Sequence, residues 1–167
     1  MSPPLEDAIS ILLIEPNPGD ARLFSESFED ANIVCNIHTV SDGESALDFV
    51  HQRNEYSDSP RPDMILLDFQ LPGVSGADVL SELKSESTLR SIPVIVMTSS
   101  PSEEDIARSY DLYANAYVQK PVEPDEFIDL GRSFEDFWLT LGRLPGDRSR
   151  RRQSSPLATS RAGPAPR

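Results

Sequence analysis

Short apolar runs alternate with longer amphipathic segments along the chain, and this alternation strongly limits the folds it can adopt. The short runs predict buried strands at residues 9–14, 33–40, 63–67, 92–97 and 115–118. The segments between them predict helices at 18–30, after the Ser41-Asp42 cap, at 76–86, at 102–112 and at 124–141. Strands that alternate with helices predict an α/β fold, a doubly wound five-stranded parallel sheet with five helices.

Composition separates one folded body from two polar ends. Residues 1–7 are polar and contain proline, which predicts a flexible leader. Residues 144–167 are rich in Arg, Pro and Ser and have few apolar residues, which predicts a disordered tail. The intervening residues 8–143 are expected to form a single domain that is large enough to bury a core.

Charge is distributed unevenly and argues against nucleic acid as a partner. Residues 143–167 carry seven arginines and one acid, so the other 142 residues hold 8 basic and 27 acidic side chains, a net charge of −19. Such a body repels nucleic acid. The abundance of acids over lysine, which occurs only as Lys84 and Lys120, resembles proteins of salt-rich cytoplasm, although an ordinary acidic surface is the alternative. No secretory leader or membrane-spanning run is apparent, so we expect a cytoplasmic protein with no membrane partner.

Chemically active side chains follow four of the five predicted strands. Glu15 follows the first strand, Asp68 the third, Thr98 the fourth and Lys120 the fifth. In a doubly wound sheet these carboxyl ends form the site, so we expect the four side chains to converge. An exposed carboxylate can attack phosphorus, acids can hold Mg²⁺, and a lysine and a hydroxyl can bind phosphoryl oxygens. The pattern therefore predicts phosphorylation of an aspartate.

Four sequence stretches carry a family resemblance: ILLIEPN, ILLDFQLPGVSG, IPVIVMTSS and YVQKP. In this order, across residues 9–142, they resemble the response-regulator receiver domain (CheY-like) family. RSYDLYANAYVQKPV and SFEDFWLTLGRLP further resemble the single-domain regulators of phytochrome-type sensor histidine kinases. The resemblance implies a (βα)5 flavodoxin-like receiver fold over residues 8–143, a signalling role without enzymatic turnover, and a sensor histidine kinase as partner.

The resemblance also implies a role for each matching position. The implied catalytic set is Asp68 as phosphoacceptor with Thr98 and Lys120 on the phosphoryl group. The implied Mg²⁺ ligands are Glu15, Asp68 and the backbone carbonyl of Gln70. Tyr117 matches the aromatic switch, the small Ser99 leaves room for the phosphoryl donor, and Gln70 and Ser100 stand where receivers tune hydrolysis.

One position departs from the family. Receivers normally have two adjacent acids after the first strand, and the second is usually the direct metal ligand; here the pair is Glu15-Pro16. Mg²⁺ affinity is therefore expected to be weak, unless Glu15 reaches in as a replacement. Asp20 is a remote substitute, and we interpret it instead as a charge in the first turn of a helix.

Three functional hypotheses remain open on these residues. The leading one is a switch in which Asp68 accepts a phosphoryl group in a phosphorelay, Thr98 and Tyr117 respond, and a partner surface changes. The second is a degenerate receiver that acts as an interaction module without phosphorylation, because Pro16 removes a ligand. The third, an aspartyl phosphatase, is disfavoured because Gln70 cannot act as a general acid.

The last predicted helix has more apolar residues than one buried stripe needs. The excess lies among Phe134, Phe137, Trp138, Leu139 and Leu141, with Leu144 beyond. Core packing explains most of them, and a symmetric dimer through this helix is the alternative that the excess leaves open.

Overall fold

The computed structural model describes residues 8–30, 34–98, 108, 111–120 and 123–141. Its strands are β1 (Ile9–Ile14), β2 (Cys35–Val40), β3 (Met64–Asp68), β4 (Val94–Thr98) and β5 (Ala116–Gln119). Its helices are α1 (Pro18–Asp30), α2 (Gly43–His51), α3 (Gly76–Ser85) and α4 (Pro124–Leu141), with a single 3₁₀ turn at Asn54–Tyr56. None of the helices in these ranges has the length and apolarity that crossing a membrane requires.

The structure confirms the predicted parallel sheet, and the differences lie at the element ends. Strands β3, β4 and β5 each end one residue later than predicted, so Asp68 and Thr98 belong to their strands. Backbone pairing continues through these polar residues, since Asp68 pairs with Met97 and Thr98 with Gln119. The prediction ended each strand at its last apolar residue, but ladder hydrogen bonds do not depend on side-chain polarity.

Several predictions fall on residues that the structure does not describe. They include the leader 1–7, the tail 144–167, Ser99, Ser100 and most of the helix predicted at 102–112. Near its end, the Leu112 N–H donates a hydrogen bond to the Arg108 carbonyl at 3.0 Å. The side chains of the apolar residues at 134 and 137–141 also lie outside the described part.

The order of the strands in the sheet determines where the site lies. The sheet runs β2-β1-β3-β4-β5, and all pairs are parallel. The chain therefore runs from β1 to its neighbour β2 on one side and then crosses over to β3 on the other side of β1, which makes the β1–β3 boundary the switch point. Ile14 pairs with Leu67 across this boundary, so the next residues, Glu15 and Asp68, lie side by side at the ends of β1 and β3.

Core packing on both faces explains why the central strands are uniformly apolar. Side chains of a strand alternate between faces, and both faces of β1 and β3 are covered by helices. Leu12, Ile14, Ile65 and Leu67 pack in one core layer with α2 and α3. The alternate residues pack with α1 and α4 in the second layer; they are Ile11, Leu13, Met64 and Leu66.

Helices α1 and α4 approach each other closely at Gly131. A Cβ at this position would lie 2.6 Å from the Ser27 carbonyl oxygen, which is shorter than van der Waals contact. Nearby, Phe24 and Phe127 meet edge to face with ring centroids 4.9 Å apart. The absence of a side chain at Gly131 therefore sets the distance between the two helices.

We predict that Gly131→Ala destabilises the fold even though alanine is the better helix former. Relieving the contact requires the helices to separate, and we expect a net loss of about 1–2 kcal/mol in the free energy of unfolding. Urea unfolding followed by circular dichroism measures this change. Asp129→Ala, at an exposed position of the same helix, is the control; equal stability of the two variants would contradict the packing argument.

Candidate functional site

Three carboxylates surround the ammonium group of Lys120. Its Nζ lies 2.9 Å from Asp68 Oδ2, 2.8 Å from both Oε1 and Oε2 of Glu15, and 3.1 Å from Asp20 Oδ2. Glu15, Asp68 and Lys120 are buried, with relative exposures of 1%, 4% and 7%. The structure thus brings together the two acids and the lysine predicted from the strand ends, and it adds Asp20.

Backbone hydrogen bonds that extend the sheet fix the buried members of this group. The Glu15 N–H donates to the Val40 carbonyl at 2.9 Å, and the Lys120 N–H donates to the Thr98 carbonyl at 2.8 Å. Asp68 is itself the last paired residue of β3. The three side chains therefore start from rigid backbone positions, which suits a site that has to hold a set geometry.

Asp20 has a contact that its sequence position did not reveal. The interpretation as a charge in the first turn of a helix is confirmed, and its carboxylate also lies 3.1 Å from Lys120 Nζ. Asn17 caps α1 by accepting the Asp20 N–H at 3.0 Å, and this cap directs the first helical turn back over the end of β1. The available signal was the Asn-Pro-Gly-Asp sequence, which places an acid at the third helical position, but only the tertiary fold brings that position to Lys120.

Gln70 lies beside the phosphoacceptor candidate. Its N–H donates to Asp68 Oδ1 at 2.9 Å and Lys120 donates to Oδ2, so each carboxylate oxygen of Asp68 accepts a hydrogen bond from a described residue. The loop after Asp68 folds tightly onto α3, since a Cβ on Gly76 would lie 2.5 Å from the Phe69 carbonyl oxygen. This packing holds the Gln70 backbone next to Asp68 while the Gln70 side chain is exposed.

Thr98 and Tyr117 lie on the adjacent strands. Thr98 is fully buried at the end of β4, and Tyr117 is a partly buried residue of β5 that packs against the core layer of α2 and α3. Tyr117 pairs with Val96, two residues before Thr98. The two residues predicted to form the switch therefore lie on neighbouring strands.

Lys120 and the carboxylates of Glu15, Asp20 and Asp68 form an ion group. Burial and charge shift pKa values within this group in opposite directions. Burial tends to lower the pKa of Lys120, but its hydrogen bonds with Glu15 and Asp68 outweigh burial and raise that pKa above its ordinary value. Burial raises the pKa of Glu15, and the hydrogen bonds from Lys120 and the Asn17 N–H only partly offset the increase. The folded state therefore favours a charged lysine and penalises a charged Glu15.

The chemistry of the group fits a hard divalent cation. The atoms that it offers as metal ligands are carboxylate and carbonyl oxygens. Glu15 Oε1 is buried and accepts no hydrogen bond from the described residues, although it lies 2.8 Å from Lys120 Nζ. In the described part of the chain, no three His, Cys, Asp or Glu side chains form a ready metal cage. Mg²⁺ does not require one, because it usually binds one or two carboxylates and retains several waters.

The single cysteine does not compete as a nucleophile. Cys35 is partly buried at the start of β2, and burial raises the pKa of its thiol to about 11. The reactive form is the thiolate, so this thiol is unreactive at neutral pH.

We predict that Glu15→Gln stabilises the metal-free protein at pH 7. Because the folded-state pKa of Glu15 is raised, its ionised form costs stability at pH values above the ordinary 4.5, and the cost is complete above the folded-state pKa. The difference between variant and wild type should therefore shrink to zero as the pH falls to about 4.5. Urea unfolding in chelator across this pH range measures it.

The control for this prediction is Glu29→Gln, which removes an exposed carboxylate from the same α1 region of the fold. We expect it to change stability by less than about 0.5 kcal/mol at every pH. A Glu15→Gln variant that is less stable than wild type at pH 7 would mean that the ion pair with Lys120 outweighs the burial of Glu15.

Comparison with known proteins agrees with this geometry. A family model described as the response regulator receiver domain matches residues 11–131. Response regulator Rcp1 of Synechocystis sp. is 38% identical over 135 residues, covering 81% of this chain and 92% of Rcp1. The crystal structure of the phosphorylated cyanobacterial phytochrome response regulator RcpA matches with a TM-score of 0.77 and 39% identity over 83% of this chain and 99% of RcpA. The Mn²⁺-bound form of Rcp1 matches with a TM-score of 0.73 and 38% identity, over 78% of this chain and 94% of that one. The chain therefore belongs to the response regulator receiver domain family of two-component signalling, and within that family it resembles the phytochrome response regulators.

Proposed function

We propose that this receiver is a phosphorylation switch in which Asp68 accepts the phosphoryl group. The observation that carries the proposal is the contact between Lys120 Nζ and Asp68 Oδ2 at 2.9 Å, at the switch point of the sheet. A lysine held by neighbouring carboxylates at this point is suited to balance the charge of a phosphoryl group added next to it. The related RcpA has been solved in a phosphorylated form, which supports phosphorylation as the function of this receiver.

The proposed reaction is the transfer of a phosphoryl group from a phosphohistidine to a carboxylate. An oxygen of Asp68 attacks phosphorus, the phosphorus–nitrogen bond breaks, and the histidine nitrogen leaves with the electron pair and is protonated by solvent. Lys120 stays charged throughout, because its hydrogen bonds hold its pKa above the ordinary value. Its ammonium and the Thr98 hydroxyl then bind the phosphoryl oxygens.

Mg²⁺ would be held by Glu15, Asp68 and the backbone carbonyl of Gln70. When bound, it supplies positive charge that screens the acids from the incoming phosphoryl group. The Mn²⁺-bound form of Rcp1 supports a divalent cation in this family. Glu15 contributes to this set through the buried Oε1, which accepts no hydrogen bond from the described residues.

The signal would pass from the site to the surface through β4 and β5. In this proposal Thr98 moves towards the phosphoryl group, and Tyr117 follows into the space that Thr98 vacates. Gln70 and Ser100 tune hydrolysis of the acyl phosphate. The resemblance to phytochrome response regulators favours a phytochrome-type sensor histidine kinase as donor. The excess of apolar residues in the last helix favours a homodimer through that helix.

The degenerate receiver is the second candidate, and Pro16 is the specific observation that favours it. Proline has no carboxylate to replace the acid that receivers normally carry at this place. In that alternative the chain keeps the fold but binds its partners without phosphorylation.

Intact-mass spectrometry after incubation with acetyl phosphate separates the two functions. We expect wild type to gain one phosphoryl group in the presence of Mg²⁺ and to gain none in chelator. Asp68→Asn preserves the shape of the side chain but removes the nucleophile, so it should gain none. The reaction should be run at low and high salt, because the chain has a net charge of −13 and salt screens the repulsion of an anionic donor.

The matched control is Asp63→Asn, which changes another aspartate just before β3. Asp63 accepts the Ser10 N–H at 2.7 Å, at the opposite end of the strands from Lys120. Its variant should be phosphorylated like wild type if it remains folded. Folded wild type that gains no phosphoryl group at any salt concentration would exclude the switch and leave the interaction module as the function.

A further inference from the structure

We propose that Asp20 supplies the carboxylate that position 16 lacks, and that it binds the divalent cation together with Glu15. This inference rests on the proposed function and extends it to a residue outside the strand ends. Receivers usually place the second acid directly after the first, whereas this chain has Pro16 there. Asp20 reaches the same ion group from the first turn of α1, with its Oδ2 3.1 Å from Lys120 Nζ.

A closed ring of hydrogen bonds and ion pairs fixes Asp20 in this position. Glu15 Oε2 accepts the Asn17 N–H at 3.0 Å, and Asn17 Oδ1 accepts the Asp20 N–H at 3.0 Å. Lys120 closes the ring by contacting both carboxylates. The residues that follow β1 are therefore arranged so that an acid five positions after Glu15 returns to the side of Glu15.

A buried oxygen of Glu15 has capacity for a cation beyond its ion pair with Lys120. Glu15 is 1% exposed, and its Oε1 accepts no hydrogen bond from the described residues. Leaving a buried acceptor unsatisfied costs free energy, so such an atom commonly has a ligand or water as its partner. This oxygen lies 2.8 Å from Lys120 Nζ, within the group that Asp20 completes.

Asp20 is the carboxylate best able to move from Lys120 to a cation. Its contact with Nζ is the longest of the three, and its side chain is 30% exposed while those of Glu15 and Asp68 are 0% and 6% exposed. Three carboxylates and one ammonium also leave this group with a formal charge of −2, which a divalent cation neutralises. Mg²⁺ retains waters, so a ligand on the solvent side fits its preference.

Mn²⁺ binding tests the proposal without relying on phosphorylation. The loss of the signal of free Mn²⁺ in electron paramagnetic resonance measures the dissociation constant of the full-length chain at fixed ionic strength. We expect Asp20→Asn to weaken binding by about tenfold or more, the size of effect seen when groups around a metal site are removed. Adding Pro16→Asp to Asp20→Asn returns an acid to the site and should restore binding to within about threefold of wild type.

The matched control is Asp78→Asn, which removes the same charge from the same position of another helix. Asp78 is in the first turn of α3, and its N–H is capped by Ser75 as that of Asp20 is by Asn17. Asp78 is exposed and has no ion pair among the described residues. Its variant should bind Mn²⁺ within about twofold of wild type, because an exposed distant charge is screened by salt.

A second readout separates metal binding from a purely structural role. The rate of Asp68 phosphorylation by acetyl phosphate is measured against Mg²⁺ concentration. If Asp20 binds the cation, Asp20→Asn raises the Mg²⁺ concentration for half-maximal rate by the same factor as it weakens Mn²⁺ binding. A change in the maximal rate alone, with Mn²⁺ affinity equal to that of Asp78→Asn, overturns the assignment.

The two measurements distinguish this inference from the proposed function. Equal Mn²⁺ affinity of wild type and Asp20→Asn, with Asp68 phosphorylated in both, overturns the role of Asp20 and leaves the switch intact. Weakened Mn²⁺ binding in Asp20→Asn, without phosphorylation of any variant, supports Asp20 as a ligand and overturns the switch. Wild type that binds no Mn²⁺ overturns the assignment of Asp20 directly.

Discussion

The contact of one ammonium with three carboxylates is the interaction on which the site depends. Lys120 holds Glu15 and Asp68 in the protein interior, where carboxylates without a partner would be protonated or would destabilise the fold. Without it, two buried negative charges would lie side by side at the switch point. The same ammonium contacts Asp20 in the first turn of α1. The Lys120 side chain therefore connects the ends of β1 and β3, the edge strand β5 and helix α1. The charge of Lys120 therefore stabilises the fold of the unphosphorylated protein.

The scarcity of lysine makes the two lysines informative, because their ammonium groups make hydrogen bonds near opposite ends of the short edge strand β5. Lys84 Nζ donates to the carbonyls of Arg90 and Ile92 and to Asn115 Oδ1, and Asn115 Oδ1 also accepts the Val94 N–H. Asn115 directly precedes β5, and Lys120 directly follows it. The strand has no fully buried side chain, so hydrogen bonds at its two ends compensate for the small amount of apolar surface that it buries.

Stability and function impose opposite demands on Glu15. Burial raises the pKa of Glu15, so the ionised form that a cation needs is the form that the metal-free fold tolerates least. This conflict is typical of sites in which a charge is held ready for a ligand, because the ligand provides the compensation that the protein alone lacks. The hydrogen bond from the Asn17 N–H reduces the cost at Oε2, whereas Oε1 has the ion pair with Lys120 but accepts no hydrogen bond from the described residues.

The sequence alone determined the fold class and the buried part of the site, because apolar periodicity reports the strands and parallel strands must end at one edge of the sheet. Glu15, Asp68 and Lys120 could be found in this way, since each lies at a strand end. Strand ends were placed one residue early, because backbone pairing extends into polar residues that periodicity does not detect. Only the tertiary structure decided the place of Asp20, because the direction of a helix relative to the sheet depends on its cap and on packing such as that of Gly131 against Ser27. A charge in a first helical turn has the same sequence signature whether it faces solvent or a buried lysine, and the fold alone distinguishes the two.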